Sequence, residues 1–160
     1  MPNVPLHPAL VHLPIGLALV APALVLGIGV AVLRGALPRR AWWIAVGLQV
    51  FLVAGGIAAA QLGDREEKLV ARVVPKSLIH EHEERAEAFL WSAGLGVGAL
   101  AAAGLLLAAR PRSAVALAVA TTLATAGLAL YAGKAGGALV YDHGAAGAWH
   151  SDPAPVAVRR

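Results

Sequence analysis

Cysteine is absent from this 160-residue chain, and charged side chains make up only 14% of it. Without thiols the chain builds no disulfide framework, iron–sulfur cluster, thiolate zinc site or covalently attached c-type haem. A soluble domain carries about 25% charged residues, so an ordinary soluble enzyme domain is excluded as well. The chain is instead rich in apolar residues, which account for 59% of it.

Four long segments without a charged residue predict four membrane spans. A transmembrane helix needs about 20 mostly apolar residues, because the hydrocarbon core is about 30 Å thick. The four segments are residues 13–33, 41–62, 88–109 and 113–133. Too few polar residues remain to cover four such helices in water, so we expect an integral membrane protein.

The charge of the connections predicts the topology. The connections at residues 34–40 and 110–112 contain arginine and no acid, so both are expected in the cytoplasm. Both termini and the connector at residues 63–87 then lie on the outer face. Short connections make neighbouring helices antiparallel, so we predict an all-α integral membrane protein, a four-transmembrane up-down helix bundle over residues 1–150. Residues 151–160 are a polar C-terminal tail.

Two further structural predictions concern the outward connector. Its stretch DREEKLVARVV, residues 64–74, is expected to be an interfacial connector or a short amphipathic helix on the membrane surface. Ser77 follows Pro75 and is the predicted N-cap of a helix that leads into the third span. The net charge of +4 reflects topology, and no basic stripe with interleaved aromatics indicates binding to nucleic acid.

All six histidines fall in segments assigned to the outer face, and so do all nine acidic residues. On the helix that enters the third span, His82 shares a face with small and apolar residues and is expected to point into the bundle. His80 falls on a polar face and is expected to point to water. His150, near the C-terminus, is expected to have no role.

Two other spans bring a histidine to the same face. His12 lies at the outer edge of the first span, where Pro14 predicts a kink, and His7 precedes Pro8 at the start of that helix. If the fourth span continues as a helix, His143 lies on a face of small residues. An ionisable residue beside a membrane span is a functional candidate. We therefore expect His12, His82 and His143 to converge, with His7 nearby.

Such a cluster suits two kinds of centre. Two imidazoles can bind a haem iron from opposite sides, and Gly55, Gly56 and Gly136 would leave room for a porphyrin. Three imidazoles with a carboxylate suit zinc, copper or another transition metal. In that alternative the additional ligands come from a second set: His80, Glu83, Glu84 and Asp142. The residues alone predict a cofactor or metal site and leave its kind open.

Three motifs give the chain a resemblance to a known family. They are HPALVHLPIG at residues 7–16, the histidine-acid stretch at residues 82–84, and LVYDHG at residues 139–144, followed by Ala148 and Trp149. On these motifs the chain resembles the domain-of-unknown-function 2231 family of small four-span bacterial membrane proteins, from residue 7 to about residue 149.

The resemblance implies a redox role. Family members carry a histidine at four matching places, which here are His7, His12, His82 and His143. Related domains are joined to Rieske-type or cytochrome c-type domains, which favours non-covalent haem b. The resemblance thus implies a small b-type cytochrome-like protein of the bacterial inner membrane, which carries electrons at the periplasmic face through bis-histidine haem.

The expected partners follow from that role. They are membrane lipid and a periplasmic redox protein or a quinone, and Arg85, Lys134 or Lys76 would pair with the haem propionates. The protein would then be an electron-transfer protein or redox subunit rather than a stand-alone enzyme. Two alternatives stay open: an outward-facing metal-binding or metal-sensing protein without haem, and a structural subunit of a homo-oligomer or membrane complex.

Overall fold

A computed structural model of the chain describes residues 6–149, and over that range it contains helices and no strands. The elements, in chain order, are α1 (Leu6–Leu10), α2 (His12–Leu33), α3 (Trp42–Val70), α4 (Lys76–Leu106) and α5 (Pro111–Tyr141). Short 3₁₀ turns cover Arg39–Ala41 and Ala145–Trp149. The predicted tail at residues 151–160 and His150 lie outside the described residues.

The described helices confirm the predicted all-helical membrane fold. Four segments are long and apolar enough to cross a membrane: Leu6–Leu33, Arg39–Val70, Lys76–Leu106 and Pro111–Tyr141. Helix α5 packs against α4 and α2, and α3 packs against the same two helices, so α2 to α5 form a closed bundle. The outer surface of the bundle is apolar, as Leu105 at 75% exposure illustrates.

Helix α3 extends well beyond its predicted span. Helix α3 continues to Val70, so most of the stretch at residues 64–74 belongs to it and forms neither a separate surface helix nor a connector. The helix continues past Leu62 because its backbone hydrogen bonds do not depend on the hydrocarbon layer. No residue between Leu62 and Val70 ends it. The true connection is residues 71–75.

The N-cap prediction for Ser77 is wrong. Helix α4 begins at Lys76, and its N-cap is Pro75, whose backbone is extended at ψ 133° and whose side chain can form no capping hydrogen bond. The carbonyl of Pro75 accepts hydrogen bonds from the amides of Leu78 and Ile79. Ser77 therefore lies inside the first turn of the helix.

Pro14 leaves a mark on the first span, whose kink stays a prediction. Val11 is a turn residue three positions before Pro14 and divides the short α1 from α2, while its own backbone remains helical at φ −59° and ψ −24°. Because Pro14 has no amide hydrogen, the carbonyl of Leu10 has no helical partner there. Helix α1 packs along α3, the same helix that α2 contacts.

Glycines in the left-handed conformation follow α2 and α5. Gly35 has φ 73°, and around it the amide of Ala36 bonds to the carbonyl of Ala31 at 2.9 Å, which is the pattern of a Schellman motif. Gly144 has φ 68° and lies just beyond the end of α5 at Tyr141. Both turns need φ values that side chains disfavour.

Small residues set the spacing of the helices. Ala93, Ala103 and Ala118 are completely buried between them. Because lipid gives helices no hydrophobic reason to associate, close backbone approach at such residues holds a membrane bundle together. Two side chains of α3 use this closeness to donate hydrogen bonds to carbonyls of α4: Trp42 Nε1 to Leu100 at 2.8 Å, and Gln49 Nε2 to Ala93 at 2.9 Å.

A methyl group added at Gly104 tests this close packing. A Cβ there would lie 2.7 Å from Trp42 Cδ1, so Gly104→Ala must displace a fully buried indole. We expect a loss of about 1–3 kcal/mol in the free energy of unfolding, measured by denaturant titration in detergent micelles with tryptophan fluorescence.

Gly98→Ala is the matched control, because it lies on the same helix and nothing is within 4 Å of its added Cβ. It should be neutral or stabilise by up to about 1 kcal/mol through helix propensity. Equal effects of the two substitutions would contradict the packing account.

Candidate functional site

His7 and His82 meet at one end of the bundle. Their ring centroids are 6.1 Å apart, and the ring planes form an angle of 75°. His7 lies on α1 and His82 near the start of α4, so the two rings meet through the tertiary packing of α1, α3 and α4. Of the four histidines predicted to take part in a site, these two are brought into contact.

The ring of His7 is oriented by α3. Its Nδ1 lies 2.7 Å from the carbonyl oxygen of Ala59. Since a carbonyl only accepts, Nδ1 carries the hydrogen, and the lone pair of the neutral ring is on Nε2. Gly63 makes this approach possible, because a Cβ there would lie 3.1 Å from the same Nδ1 atom.

Glu66 fastens α1 to α3. Its Oε1 accepts hydrogen bonds from the backbone amides of Leu6, at 2.8 Å, and His7, at 3.3 Å. The first amides of a helix have no partner within the helix, so this carboxylate takes the place of an N-cap supplied from a distant element. This role is not visible in the sequence, because Glu66 is one of several acids in a stretch assigned to the connector.

The structure confirms the predicted inward orientation of His82. Its half-buried ring lies against Gly136 of α5, where a Cβ would be 3.0 Å from Cε1. The His82 ring also lies near the backbone of Ala132, but by hydrogen-bond geometry its Nδ1 is, within the described residues, the buried side-chain nitrogen or oxygen that has no partner. A buried polar atom without a partner is unfavourable and calls for an explanation. Gly136, predicted to leave room at the site, instead receives this imidazole.

The structure confirms the predicted outward orientation of His80. Its ring nitrogens lie 3.6 Å from Glu83 and 3.4 Å from Glu84, both on the same helix. All three side chains are well exposed, so these ion pairs contribute little. His80 and His82 thus point to different sides of α4.

The structure corrects the predicted orientation of His12, which is exposed. The buried side of α2 runs through Pro14, Ala18 and Ala21. His12 precedes Pro14 by two residues, about 200° around a helix, and so it points away from the bundle.

His143 is likewise exposed, contrary to prediction. Helix α5 ends at Tyr141, so the helical row that was to turn His143 inward does not exist. Asp142 is exposed beside it. Over residues 6–149, no three His, Asp or Glu side chains form a group that could hold a metal ion.

The other two glycines predicted to line a cofactor space serve as helix contacts. An added Cβ at Gly56 would lie 2.6 Å from Leu90 Cδ2, and one at Gly55 would lie 3.8 Å from Pro14 Cδ. The space above both glycines is therefore filled by neighbouring helices.

One of the three predicted propionate partners lies beside the histidine pair. Arg85 follows His82 by about one helical turn and is within electrostatic range of its ring. Its guanidinium lies 4.1 Å from the ring centroid of Tyr131 on α5 and forms an ion pair with Glu81. The other two candidates, Lys76 and Lys134, are exposed.

An apolar cluster holds the helix ends together next to the pair. It consists of Val74, Ile79, Leu139 and Ala145. Ile79 lies one turn before His82 on α4, and Leu139 one turn after Gly136 on α5. The cluster therefore fixes the two helices on which the inner side of the site is built.

No curated protein and no solved structure matches this chain. A family model described as a predicted membrane protein, DUF2231, matches residues 3–148. Because this match spans nearly the whole chain and agrees with the four spanning helices, the chain belongs to the DUF2231 family of membrane proteins.

Proposed function

We propose that this membrane protein binds haem b between His7 and His82 and carries electrons at that end of the bundle. The observation behind the proposal is the ring pair, with centroids 6.1 Å apart. Two imidazoles on opposite sides of one metal atom, each through a bond of about 2.0–2.1 Å, have centroids roughly 6 Å apart. The separation found here suits that arrangement, and it equals that of an ordinary edge-to-face ring contact.

The hydrogen bonding of the two rings also suits metal coordination. Metal-binding histidines commonly donate their other ring N–H to a backbone carbonyl, as His7 does to Ala59. With the hydrogen on Nδ1, Nε2 is the ring nitrogen of His7 that could serve as a ligand. On His82 the buried Nδ1 lacks a partner, so it is also available.

The number of ligands favours haem over a bare metal ion. A zinc site in a protein takes three or four side-chain ligands, and no such group exists over residues 6–149. Haem brings four nitrogen ligands of its own and needs only axial ligands from the chain. When bound, it would supply one-electron redox chemistry, and Arg85 is the cation placed to pair with a propionate.

The membrane face on which the histidine pair lies is part of the same proposal. The arginine-rich connections at residues 34–40 and 110–112 favour the cytoplasm, which puts the histidine pair on the periplasmic face of the bacterial inner membrane. There a periplasmic redox protein or a quinone would exchange electrons with it. This role is that of an electron-transfer protein or redox subunit.

Absorbance of the purified protein tests the haem. Protein from haem-replete cells should show a Soret band that shifts on addition of dithionite. His7→Ala and His82→Ala should each lose most of it, because each removes an axial ligand. His12→Ala, His80→Ala and His143→Ala should keep it, because these side chains are exposed.

A colourless wild-type protein would overturn the proposal. Elemental analysis of that protein would then distinguish a bare metal site from a structural subunit. Pigment that depends on His12 or His143 but survives His7→Ala would overturn the choice of ligands.

Glu66→Ala tests whether this carboxylate positions His7. Losing both accepted hydrogen bonds should release α1, and amide hydrogen exchange over residues 6–10 should become roughly tenfold faster. Haem affinity should fall about tenfold, as is typical when the group that orients a ligand is removed.

Glu67→Ala is the control, because Glu67 makes neither of these contacts, and Glu66→Gln should restore part of the protection. Exchange in α1 that is unaffected by Glu66→Ala would show that the carboxylate does not hold this helix. The exchange measurement does not depend on haem.

A further inference from the structure

We infer that a cavity at the opposite end of the bundle binds the phosphate group of an anionic phospholipid. The cavity is an open surface depression of about 460 Å³ between the end of α2 and the start of α5, and all the residues that line it are exposed. Its lining is made of five residues: Leu33, Arg110, Pro111, Arg112 and Ser113. Neither the histidine pair nor the proposed haem takes part in it.

The cations of the cavity have no partner in the described part of the chain. Across residues 6–149, the ion pairs involve His80 and Arg85, and no side-chain hydrogen bond reaches Arg110, Arg112 or Ser113. The connections at this end contain no carboxylate that could approach them. Two guanidinium groups and a hydroxyl thus line the same cavity with hydrogen-bond donors that have no partner.

Phosphate is the anion that fits this donor set. Guanidinium binds phosphate oxygens with two parallel hydrogen bonds, and it is weakly hydrated, so it releases water readily. The hydroxyl of Ser113 adds a further donor. Basic pockets between helices at a membrane face recognise anionic lipid headgroups in this manner.

The apolar side of the cavity favours a lipid as the source of the phosphate. Leu33 lines it and is 41% exposed. The charge-free stretch of α5 begins directly at Ser113, so the cavity opens at the boundary of the predicted hydrocarbon layer. A ligand with a charged head and an apolar tail satisfies both sides of the cavity, whereas a free phosphate satisfies one.

The test must separate the cavity from the general positive charge of this end. Arg39 and Arg40 supply the control, because they lie in the other connection and do not line the cavity. R110Q/R112Q and R39Q/R40Q remove the same charge. Each protein is titrated with phosphatidylglycerol in detergent, and retained lipid is counted by native mass spectrometry.

We expect R110Q/R112Q to bind the tightest phosphatidylglycerol at least about fivefold more weakly than wild type, and R39Q/R40Q to differ by less than about twofold. The affinity of wild type should fall as salt is raised. Equal weakening in both variants, or weakening in neither, would overturn the cavity as a site.

A second arm separates the two sources of phosphate. Glycerol phosphate in the aqueous phase should bind far more weakly than the lipid, because it lacks the acyl chains. Binding as tight as that of the lipid would overturn the lipid assignment in favour of a soluble phosphate compound. If thermal melting shows that the double variant is unfolded, R110Q and R112Q are measured singly against R39Q, with the same criteria.

Discussion

Close backbone approach between helices is the constraint on which this structure depends. In lipid, apolar side chains gain nothing by leaving their surroundings for a helix interface, so packing and hydrogen bonds must hold the helices together. Gly96 and Gly104 of α4 admit Gln49 and Trp42 of α3 so closely that both donate to α4 carbonyls. These contacts fix the position of α3 along the axis of α4.

Glycines also allow close packing at the histidine end of the bundle. Gly63 lets the His7 ring lie against α3, and Gly136 lets the His82 ring lie against α5. The rings therefore meet where two glycines leave space for imidazoles between closely spaced helices. Glu66 completes the arrangement by accepting hydrogen bonds from the amides of Leu6 and His7 at the start of α1.

The spans and the orientation of His82 and His80 could be predicted because charge and amphipathic rows are visible in sequence. The orientation of His12 could not, because α2 is apolar on every side and its sequence does not show which side is buried. His143 was misplaced because the glycine-rich end of α5 does not reveal where the helix stops. The pairing of His7 with His82 depends on the packing of α1 against α3 and of α3 against α4, which no local pattern encodes.

Membership of the DUF2231 family establishes a membrane protein and gives no activity. The two ends of the bundle differ in chemistry: one gathers imidazoles and carboxylates, the other arginines without acids. The haem proposal rests on the first end and the lipid proposal on the second, so either can fail without the other. Both require that the helices keep the register described here.

The most direct test of the central claim is magic-angle-spinning NMR of the protein in lipid bilayers, with labelled histidine and alanine. We expect cross-peaks between the rings of His7 and His82, and between the His7 ring and the carbonyl of Ala59. Cross-peaks of His82 with His12 or His143, in place of His7, would contradict it.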